Sequence, residues 1–275
     1  MIIDGRKIAS DILERLKASP KPTKYLAAVL VGESAASESF LRQKEKIARG
    51  LGIDFQLRRF PEDILKDALC VAVTKMVHDP ECGGVILQLP LPDRTMETDV
   101  LDLITTGKDI DVLGARALDA FRIGEGDAIP PAVGTVIAVL DACFSNPVAV
   151  FQALITSTVA VVGAGRLVGQ PIAGWLNGKA RQVIVLDKAD DLGRIKNADL
   201  VVCGVGVPGL IAPAMLKDGA IVIDFGYGMR DGKVMGDFDP AGMETEKVKC
   251  TPTPGGTGPI LVAKLFENFY KLNNL

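Results

Sequence analysis

A lysine and a phenylalanine are placed to act together on one predicted helix. Lys44 follows Phe40 by four residues, so the two side chains share a helical face. Because Ile47 and Leu51 continue this face with apolar side chains, Lys44 is expected to be partly desolvated, and a desolvated lysine is a usable base. An ordinary solvated surface lysine is the alternative interpretation.

An amide and a carboxylate are further candidates. Gln88 ends an otherwise apolar strand and is followed by Leu89-Pro90-Leu91-Pro92. Ligands of parallel α/β sheets bind beyond the carboxyl ends of the strands, so Gln88 is a candidate site residue; an amide that caps loop backbone is the alternative. Asp111 ends the run Lys108-Asp109-Ile110-Asp111, which by itself is typical of a surface turn.

A glycine-rich segment lies between a predicted strand and a predicted helix. It reads Gly163-Ala164-Gly165, followed after three residues by Gly169. Glycines permit a tight turn and a close approach of backbone N–H groups to a pyrophosphate, which the helix N-terminus also attracts. The segment predicts a dinucleotide-binding turn, with a purely structural turn as the alternative.

The residues after the next strand bear on the choice of dinucleotide. Asp187 stands where an acidic side chain would accept hydrogen bonds from the adenosine ribose, which favours NAD over NADP. Lys188 would instead pair with the phosphate of NADP, and a solvated loop pair is a third interpretation. The pattern leans toward NAD.

The segment before the final helix combines rigid and flexible residues. Pro254, Gly255, Gly256, Thr257 and Gly258 follow one another directly. This composition indicates backbone in close contact with a ligand or another segment.

The elements that must position these residues alternate between helix and strand. Apolar runs of strand length separated by amphipathic segments predict two α/β domains with largely parallel sheets, the second resembling a dinucleotide-binding domain. The change from one series to the next falls between Gly114 and Pro131. The predicted strands cover residues 25–31, 54–60, 84–89, 159–162, 183–186, 200–203 and 220–225.

Composition narrows the class of protein. The 275 residues are 48% hydrophobic and 24% charged, which is globular composition and excludes a disordered or collagen-like chain. The net charge of −3 argues against a nucleic-acid partner. The uncharged stretch from Ala142 to Gly165 is interrupted by polar residues and Pro147, so a helix end, a loop and a buried strand are expected there, and no membrane partner.

The cysteines and the N-terminus indicate a compartment. Five scattered cysteines and one histidine, His78, lack the spacing of a zinc site, so no metal is expected and free thiols are predicted. The N-terminal residues lack the apolar core of a signal peptide. A reducing, cytoplasmic location is therefore expected.

Several motifs together resemble the bifunctional methylenetetrahydrofolate dehydrogenase/methenyltetrahydrofolate cyclohydrolase family. The resemblance covers essentially the whole chain, with the motifs in the family's order. They are Phe40-Leu41-Arg42-Gln43-Lys44 for Tyr-Val-x-x-Lys, Gln88 to Pro92, Lys108 to Val112 for Lys-Asp-Val-Asp-Gly, Val162 to Pro171, Val222 to Gly226 with Gly236-Asp237, and Pro252 to Pro259.

The resemblance implies a function and an architecture. Residues 1–128 would form a folate-binding catalytic domain, residues 129–258 a Rossmann-like NAD(P)-binding domain, and residues 259–275 a helix that packs back on the first domain, with folate in a cleft between the domains. The enzyme would oxidise 5,10-methylenetetrahydrofolate with NAD or NADP and hydrolyse the methenyl product to 10-formyltetrahydrofolate, a step of one-carbon metabolism that serves purine biosynthesis. Such proteins are commonly homodimers.

The resemblance also implies roles for individual residues. Lys44, held by Gln88, would manage the proton of the attacking water, and Asp111 would bind the aminopyrimidine edge of the pterin. The implied substrate contacts are Phe40, Leu87, Leu89, Pro254, Gly255, Gly256, Thr257 and Gly258. The implied cofactor contacts are Gly163, Ala164, Gly165, Asp187, Lys188 and Tyr227.

Three departures from the family pattern carry a further expectation. Phe40 replaces a tyrosine, Gly165 replaces a serine of the nucleotide turn, and Ile129 to Ala132 only loosely matches Pro-Cys-Thr-Pro. Loss of the hydroxyl near Lys44 predicts a weakened cyclohydrolase with hydride transfer retained.

Two other classes of function remain open at this point. A different nicotinamide-dependent dehydrogenase would explain the glycine-rich turn but not Gln88 to Pro92. A catalytically silent folate- or nucleotide-binding protein would have no chemical need for Lys44, Gln88 and Asp111 together. The physiological direction of the reaction is also open.

Overall fold

The computed structural model describes residues 1–144, 146–244 and 247–273. Within these ranges the helices are α1 (Gly5–Ala18), α2 (Ala35–Gly50), α3 (Lys66–His78), α4 (Glu97–Leu101), α5 (Ala115–Ile123), α6 (Pro131–Cys143), α7 (Pro147–Thr156), α8 (Gly169–Leu176) and α9 (Thr257–Asn273). The strands are β1 (Tyr25–Val31), β2 (Phe55–Phe60), β3 (Cys82–Leu87), β4 (Thr158–Val162), β5 (Gln182–Leu186), β6 (Leu200–Cys203), β7 (Ile221–Asp224), β8 (Gly228–Arg230), β9 (Lys233–Met235) and β10 (Lys249–Cys250).

The chain divides into two compact units. Among the described residues, one unit comprises those of 11–131 and 262–273, and the other comprises those of 1–10 and 132–261. We call them the lysine unit and the glycine-turn unit, after Lys44 and the Gly163 turn. Residues 274 and 275 of the predicted final helix, and Ser145 of the uncharged stretch, lie outside the described residues.

The lysine unit is built on a parallel sheet of order β2-β1-β3. The central strand β1 is buried from Leu26 to Val31, as expected for a parallel strand covered on both faces. In the core of this unit, side chains of β1 pack with those of α3 and β3, including Leu69, Val73 and Val85. The predicted alternation of strand and helix is confirmed here.

The glycine-turn unit is built on a parallel sheet of order β10-β7-β6-β4-β5. After β4 the chain adds β5 on one side and β6 on the other, so the order reverses at the carboxyl end of β4. This is the topological switch point at which open α/β sheets bind ligands. The Gly163 turn follows β4 directly, as a dinucleotide-binding turn would.

The first residues of the chain differ from the predicted division. Cys250 of β10 donates its backbone N–H to the Met1 carbonyl (3.0 Å), and its own carbonyl accepts from the Ile3 N–H (2.8 Å). Residues 1–10 therefore pack with the glycine-turn unit rather than with residues 11–131, because their backbone completes the edge of its sheet. The predicted boundary at 128/129 lies three residues before the observed division at 131/132.

The buried face of helix α2 only partly coincides with the predicted apolar face. Its buried residues are Ser37, Leu41 and Ala48, whereas Phe40 is 39% exposed and Ile47 is half-buried. Of the predicted apolar face, Leu51 is buried, Ile47 is half-buried and Phe40 is exposed.

Within the described ranges, no single helix is long and apolar enough to cross a membrane. Helices α6 and α7 reach that length and composition only when taken together, and they are bent by 104° relative to each other.

Candidate active site

The lysine unit brings Lys44 and Gln88 into contact. Lys44 Nζ of α2 donates to Gln88 Oε1 across 3.3 Å, and Gln88 Nε2 donates to the Leu89 carbonyl across 2.8 Å. The second bond fixes the orientation of the amide, so that its oxygen is directed to the amine. Gln88 is 8% exposed and Lys44 is half-buried. The amine is thus held in a partly desolvated position.

The strand end explains why Gln88 can reach this position. Strand β3 ends at Leu87, and the Gln88 N–H still donates to the Val29 carbonyl of β1 (3.0 Å). Glu97 Oε1 accepts a hydrogen bond from the Leu91 N–H (3.0 Å). The loop that carries Gln88 is therefore fixed at the carboxyl edge of the sheet, as predicted for a ligand-binding position.

Asp111 completes the group. It is half-buried, burial raises the pKa of its carboxyl, and the positive charge of Lys44 acts in the opposite direction. The effect of Lys44 places the two groups within electrostatic reach of each other. An amine and an amide are thus in direct contact, and a carboxylate of the same unit lies within electrostatic reach of the amine; we call them the Lys44–Gln88–Asp111 group.

A buried carboxylate that the sequence analysis left without a role holds Asp111 in place. Asp109 is 1% exposed, and its Oδ2 accepts the N–H groups of Leu113 (3.0 Å) and Gly114 (2.8 Å). Burial raises the pKa of Asp109 to about 7, against the effect of these backbone donors and with a contribution from the charge of Asp111. The tight turn that results places Val112 at φ +54°, where the family motif has glycine.

The remaining predicted residues of the lysine unit lie close in sequence to the group. Phe40 lies one helical turn before Lys44 on α2 and is 39% exposed. Leu87 is buried in the core, while Leu89 is partly buried against it. Leu87 is therefore positioned to support the site rather than to line an open surface.

The glycine-rich turn of the other unit is shaped by two of its glycines. Gly163 has φ +100°, and a side chain on Gly169 would collide with the Gly163 carbonyl. Gly165 is different, since a Cβ there would meet no atom within 4 Å. The space beside Gly165 is therefore open to a ligand, next to the first turn of α8.

The turn after β5 is acidic. The Asp187 N–H donates to Asp190 Oδ2 (2.8 Å), the Lys188 N–H donates to Asp187 Oδ1 (2.9 Å), and Asp191 Oδ1 accepts the Gly193 N–H (2.8 Å). Asp187, Lys188 and Asp190 are exposed. The carboxylates stand at the carboxyl end of a strand neighbouring β4, where the adenosine end of a dinucleotide binds in such folds.

The segment Pro254–Gly258 belongs to the glycine-turn unit and begins α9. Gly255 has φ +102° and lies against the guanidinium of Arg6, while Thr257 Oγ1 donates to the Asp224 carbonyl across 2.6 Å. Tyr227 is exposed between β7 and β8. Arg6 was missed by the sequence analysis, since a single arginine near a chain start carries no recognisable pattern.

Comparison with known proteins decides the family. Residues 3–111 match the catalytic domain of tetrahydrofolate dehydrogenase/cyclohydrolase, and residues 150–274 match its NAD(P)-binding domain. The chain belongs to the tetrahydrofolate dehydrogenase/cyclohydrolase family. It is 35% identical over 272 residues to the bifunctional protein FolD of Lacticaseibacillus paracasei, covering 96% of this chain and 94% of that protein.

Solved structures of the family share the architecture. The FolD methylenetetrahydrofolate dehydrogenase/cyclohydrolase of Campylobacter jejuni superposes with a TM-score of 0.90 at 29% identity, covering 100% of this chain and 98% of that one. The enzyme of Trypanosoma brucei, solved with NADP and an inhibitor, gives a TM-score of 0.87 at 26% identity and coverages of 100% and 97%. The predicted two-domain α/β fold with parallel sheets is confirmed.

Membership of the dehydrogenase/cyclohydrolase family also settles the reaction class. The chain is an NAD(P)-using methylenetetrahydrofolate dehydrogenase and methenyltetrahydrofolate cyclohydrolase of one-carbon metabolism, as the motifs predict. The interpretations as an unrelated dehydrogenase or a silent binding protein do not fit this assignment. The roles of individual residues stay predictions.

Proposed function

We propose that the Lys44–Gln88–Asp111 group carries the folate chemistry of this enzyme. The contact between Lys44 Nζ and Gln88 Oε1 supports this proposal most directly, because it holds an amine in a defined, partly desolvated position beside a carboxylate. Asp111 would accept paired hydrogen bonds from the aminopyrimidine edge of the pterin. Phe40 would offer an aromatic face to the folate rings.

In the dehydrogenase step the chain mainly positions the substrate. Loss of a hydride from 5,10-methylenetetrahydrofolate gives a cation that two nitrogens stabilise, so orientation matters more than a strong base. The bound dinucleotide supplies the nicotinamide ring that accepts the hydride. The glycine-rich turn, the open space at Gly165 and the α8 N-terminus fit its pyrophosphate.

In the cyclohydrolase step Lys44 would transfer a proton. Water adds to the methenyl carbon and loses one proton, which leaves a hydroxyl group on that carbon. The hydroxyl then gives up its proton as the bond from the carbon to N5 breaks, N5 takes up one proton in exchange, and the formyl group stays on N10. Lys44 would orient the water and relay its proton, while Gln88 keeps the amine from turning away. Phe40 lacks the hydroxyl of the family's tyrosine, so we expect a slower hydrolysis.

We further propose that the enzyme prefers NAD to NADP. The turn after β5 carries the carboxylates Asp187, Asp190 and Asp191 beside the single cation of Lys188. These charges would repel the ribose phosphate of NADP, and Asp187 would accept hydrogen bonds from the free ribose hydroxyls of NAD.

Rates of cofactor reduction with methylenetetrahydrofolate, measured separately with NAD and NADP, test the chemistry and the preference together. We expect turnover with both and a higher kcat/KM with NAD. Asp187→Ser should reduce the difference in kcat/KM between NAD and NADP. Asp218→Ser, which removes a carboxylate away from this turn, should leave that difference unchanged. Absence of any reduction contradicts the assigned chemistry, and a higher kcat/KM with NADP contradicts only the preference.

We also propose that the enzyme is a homodimer. Val148, Phe151 and Ile155 are exposed on one face of α7 (63%, 55% and 45%), and the end of α7 adjoins the edge strand β5 through the bond from the Arg181 N–H to the Leu154 carbonyl. A second copy of the chain would cover this apolar face. Light scattering should give a dimer mass that Phe151→Glu halves, whereas Leu65→Glu, at an exposed apolar position elsewhere, should not; a monomeric unmodified protein contradicts the proposal.

A further inference from the structure

Two buried carboxylates in the glycine-turn unit have no part in the reaction described above. Asp224 ends β7 and is 1% exposed, and Asp237 follows β9 and is 0% exposed. They belong to the motif Val222 to Gly226 with Gly236-Asp237, whose purpose the sequence left open. Burying two carboxylates is costly unless backbone donors compensate them, so their partners indicate what they do.

Asp224 holds the segment that contains Asp237 through hydrogen bonds to its backbone. Its Oδ1 accepts the N–H groups of Gly226 (2.7 Å) and Asp237 (3.2 Å), and its Oδ2 accepts the N–H of Phe238 (3.0 Å). The thiol of Cys203 also donates to Oδ1 across 3.4 Å. Asp224 therefore fixes Asp237 relative to the carboxyl ends of β6 and β7.

Asp237 in turn holds the loop that follows β6. Its Oδ2 accepts the Val205 N–H (2.6 Å) and its Oδ1 accepts the Val207 N–H (2.8 Å). Both oxygens are used, each on a different residue of the same loop. A carboxylate suits this arrangement because a side-chain amide offers only one acceptor oxygen.

Two glycines leave the space that this network occupies. A Cβ on Gly226 would collide with the carboxyl group of Asp237, and a Cβ on Gly236 would collide with Oδ2 of Asp224. The sulfur and carboxylate oxygens of Cys203, Asp224 and Asp237 lie within 4.8 Å of one another, a grouping that resembles a metal site. The backbone donors already occupy these oxygens, so the grouping is explained as a hydrogen-bond network.

The loop held by Asp237 forms one side of the glycine-rich turn. A Cβ on Gly163 would meet the Gly204 carbonyl oxygen and Val205 Cγ2, each at 3.2 Å, and a Cβ on Gly204 would meet Val168 Cγ1 at 3.1 Å. The loop and the turn lie at the carboxyl ends of the neighbouring strands β6 and β4. A displacement of residues 204–207 would therefore change the walls of the dinucleotide site.

We propose that Asp237 is a positioning residue for the dinucleotide: it fixes the backbone of Val205 and Val207, so that residues 204–207 form a rigid wall beside the Gly163 turn. The inference rests on the proposed function, because it assumes that the dinucleotide binds at this turn. Asp237 itself touches neither the dinucleotide nor the folate. Its effect is on the affinity for the dinucleotide, not on the proton chemistry at Lys44.

The first test replaces one acceptor oxygen. Asp237→Asn keeps the size of the side chain and loses one of the two bonds to the loop, so we expect about tenfold weaker NAD binding by calorimetry and a similar rise in the KM for NAD. Hydrolysis of methenyltetrahydrofolate, which needs no dinucleotide, should change by less than about twofold. Asp239→Asn, two residues along the same segment, should bind NAD like the unmodified enzyme.

A second pair of variants removes a loop donor instead and leaves the buried carboxylates intact. Val207→Pro deletes the N–H that Asp237 binds, whereas Val207→Ala keeps it and shortens an exposed side chain. We expect Val207→Pro to bind NAD more weakly than Val207→Ala. If Asp237→Asn does not fold, this pair alone decides.

The outcomes separate this inference from the proposed function. Unmodified enzyme that binds no dinucleotide contradicts the proposed function. Unmodified enzyme that binds NAD, with folded Asp237→Asn and Val207→Pro binding as tightly as their controls, overturns the positioning role of Asp237 and leaves the proposed function intact.

Discussion

The side chain of Asn268 on α9 is bonded to the backbone of Ile110, the residue before Asp111. Asn268 Nδ2 donates to the carbonyl oxygens of Ile110 (2.8 Å) and Ile129 (2.7 Å), and its Oδ1 accepts the Ile129 N–H (3.1 Å). Asn268 is 2% exposed and Ile110 is buried, so the bond between them lies in the interior of the unit. The last described helix therefore helps to determine where the carboxylate of the active site lies.

Replacing Asn268 by alanine should affect both stability and substrate binding. The change leaves the buried carbonyl of Ile110 and the half-buried backbone groups of Ile129 without this partner, at a cost of about 2 kcal/mol in the free energy of unfolding. We also expect a higher KM for methylenetetrahydrofolate. Asn273→Ala is the control, because Asn273 binds the Gly83 carbonyl of the same unit, away from Asp111. An equal KM for the two variants would contradict the link from Asn268 to Asp111.

The backbone at Val112 stores strain that glycine would release. Val112 has φ +54° and is 1% exposed, packed with Ala117 and Ala128. Glycine and alanine both remove the isopropyl group, but only glycine adopts a positive φ without strain. We therefore expect Val112→Gly to be about 1 kcal/mol more stable than Val112→Ala in urea unfolding, the reverse of the usual order. The usual order would show that the turn relaxes without cost.

The stability of the enzyme should depend on the protonation of Asp109. Burial raises the pKa of Asp109 from 3.8 to about 7, so the folded state holds a proton that the unfolded state releases. This contribution, about 4 kcal/mol at most, is fully present below pH 4 and is lost as the pH rises through 7. Asp109→Asn keeps one acceptor oxygen and does not titrate. In urea unfolding measured between pH 4 and 8, the free energy of unfolding should fall less steeply with rising pH for Asp109→Asn than for the unmodified enzyme. Parallel pH dependences of the two proteins would exclude the raised pKa.

Lys44 should be needed for hydrolysis more than for binding. Lys44→Met removes the amine but keeps most of the apolar stem, and we expect the cyclohydrolase rate to fall by about 100-fold or more. Folate binding, followed by the change in protein fluorescence, should remain measurable. Lys46→Met, at an exposed position on the same helix, is the matched control. Loss of folate binding with Lys44→Met would assign Lys44 a structural role.

Restoring the tyrosine of the family at Phe40 should accelerate hydrolysis. Phe40 is exposed one turn before Lys44, so a hydroxyl there would add a donor and acceptor close to the proton path. We expect Phe40→Tyr to raise the cyclohydrolase rate by about three- to tenfold, with the dehydrogenase rate changing by less than about twofold. Assays of the two steps on the same preparation provide the comparison. An unchanged hydrolysis rate would mean that the hydroxyl has no part in the reaction here.

The parts of the fold that the sequence predicts well are those governed by local patterns. The buried strand Tyr25–Val31 is a continuous apolar run with a glycine after it, and the structure has the same bounds. Gln88 was found because a polar side chain at the end of such a strand is unusual. The Gly163 turn is predictable because the local backbone conformation of the turn requires its glycines.

Features that depend on distant packing were predicted less well. The buried face of α2 consists of Ser37, Leu41 and Ala48, and it depends on which side of the helix other elements cover, so the apolar pattern alone does not give the exposure of Phe40. Asn268 is bonded to Ile110, which lies 158 residues away in the sequence, and no local pattern predicts such a bond. The folate cleft between the domains and the cytoplasmic location stay predictions.

The way the units share the chain has a consequence for synthesis on the ribosome. The sheet edge at β10 takes up the first residues of the chain, and the lysine unit takes up residues 262–273. Neither unit can therefore complete its contacts while the last helix is still inside the exit tunnel. During synthesis the early segments of the chain therefore stay incompletely packed, with apolar surface exposed, until α9 has been translated.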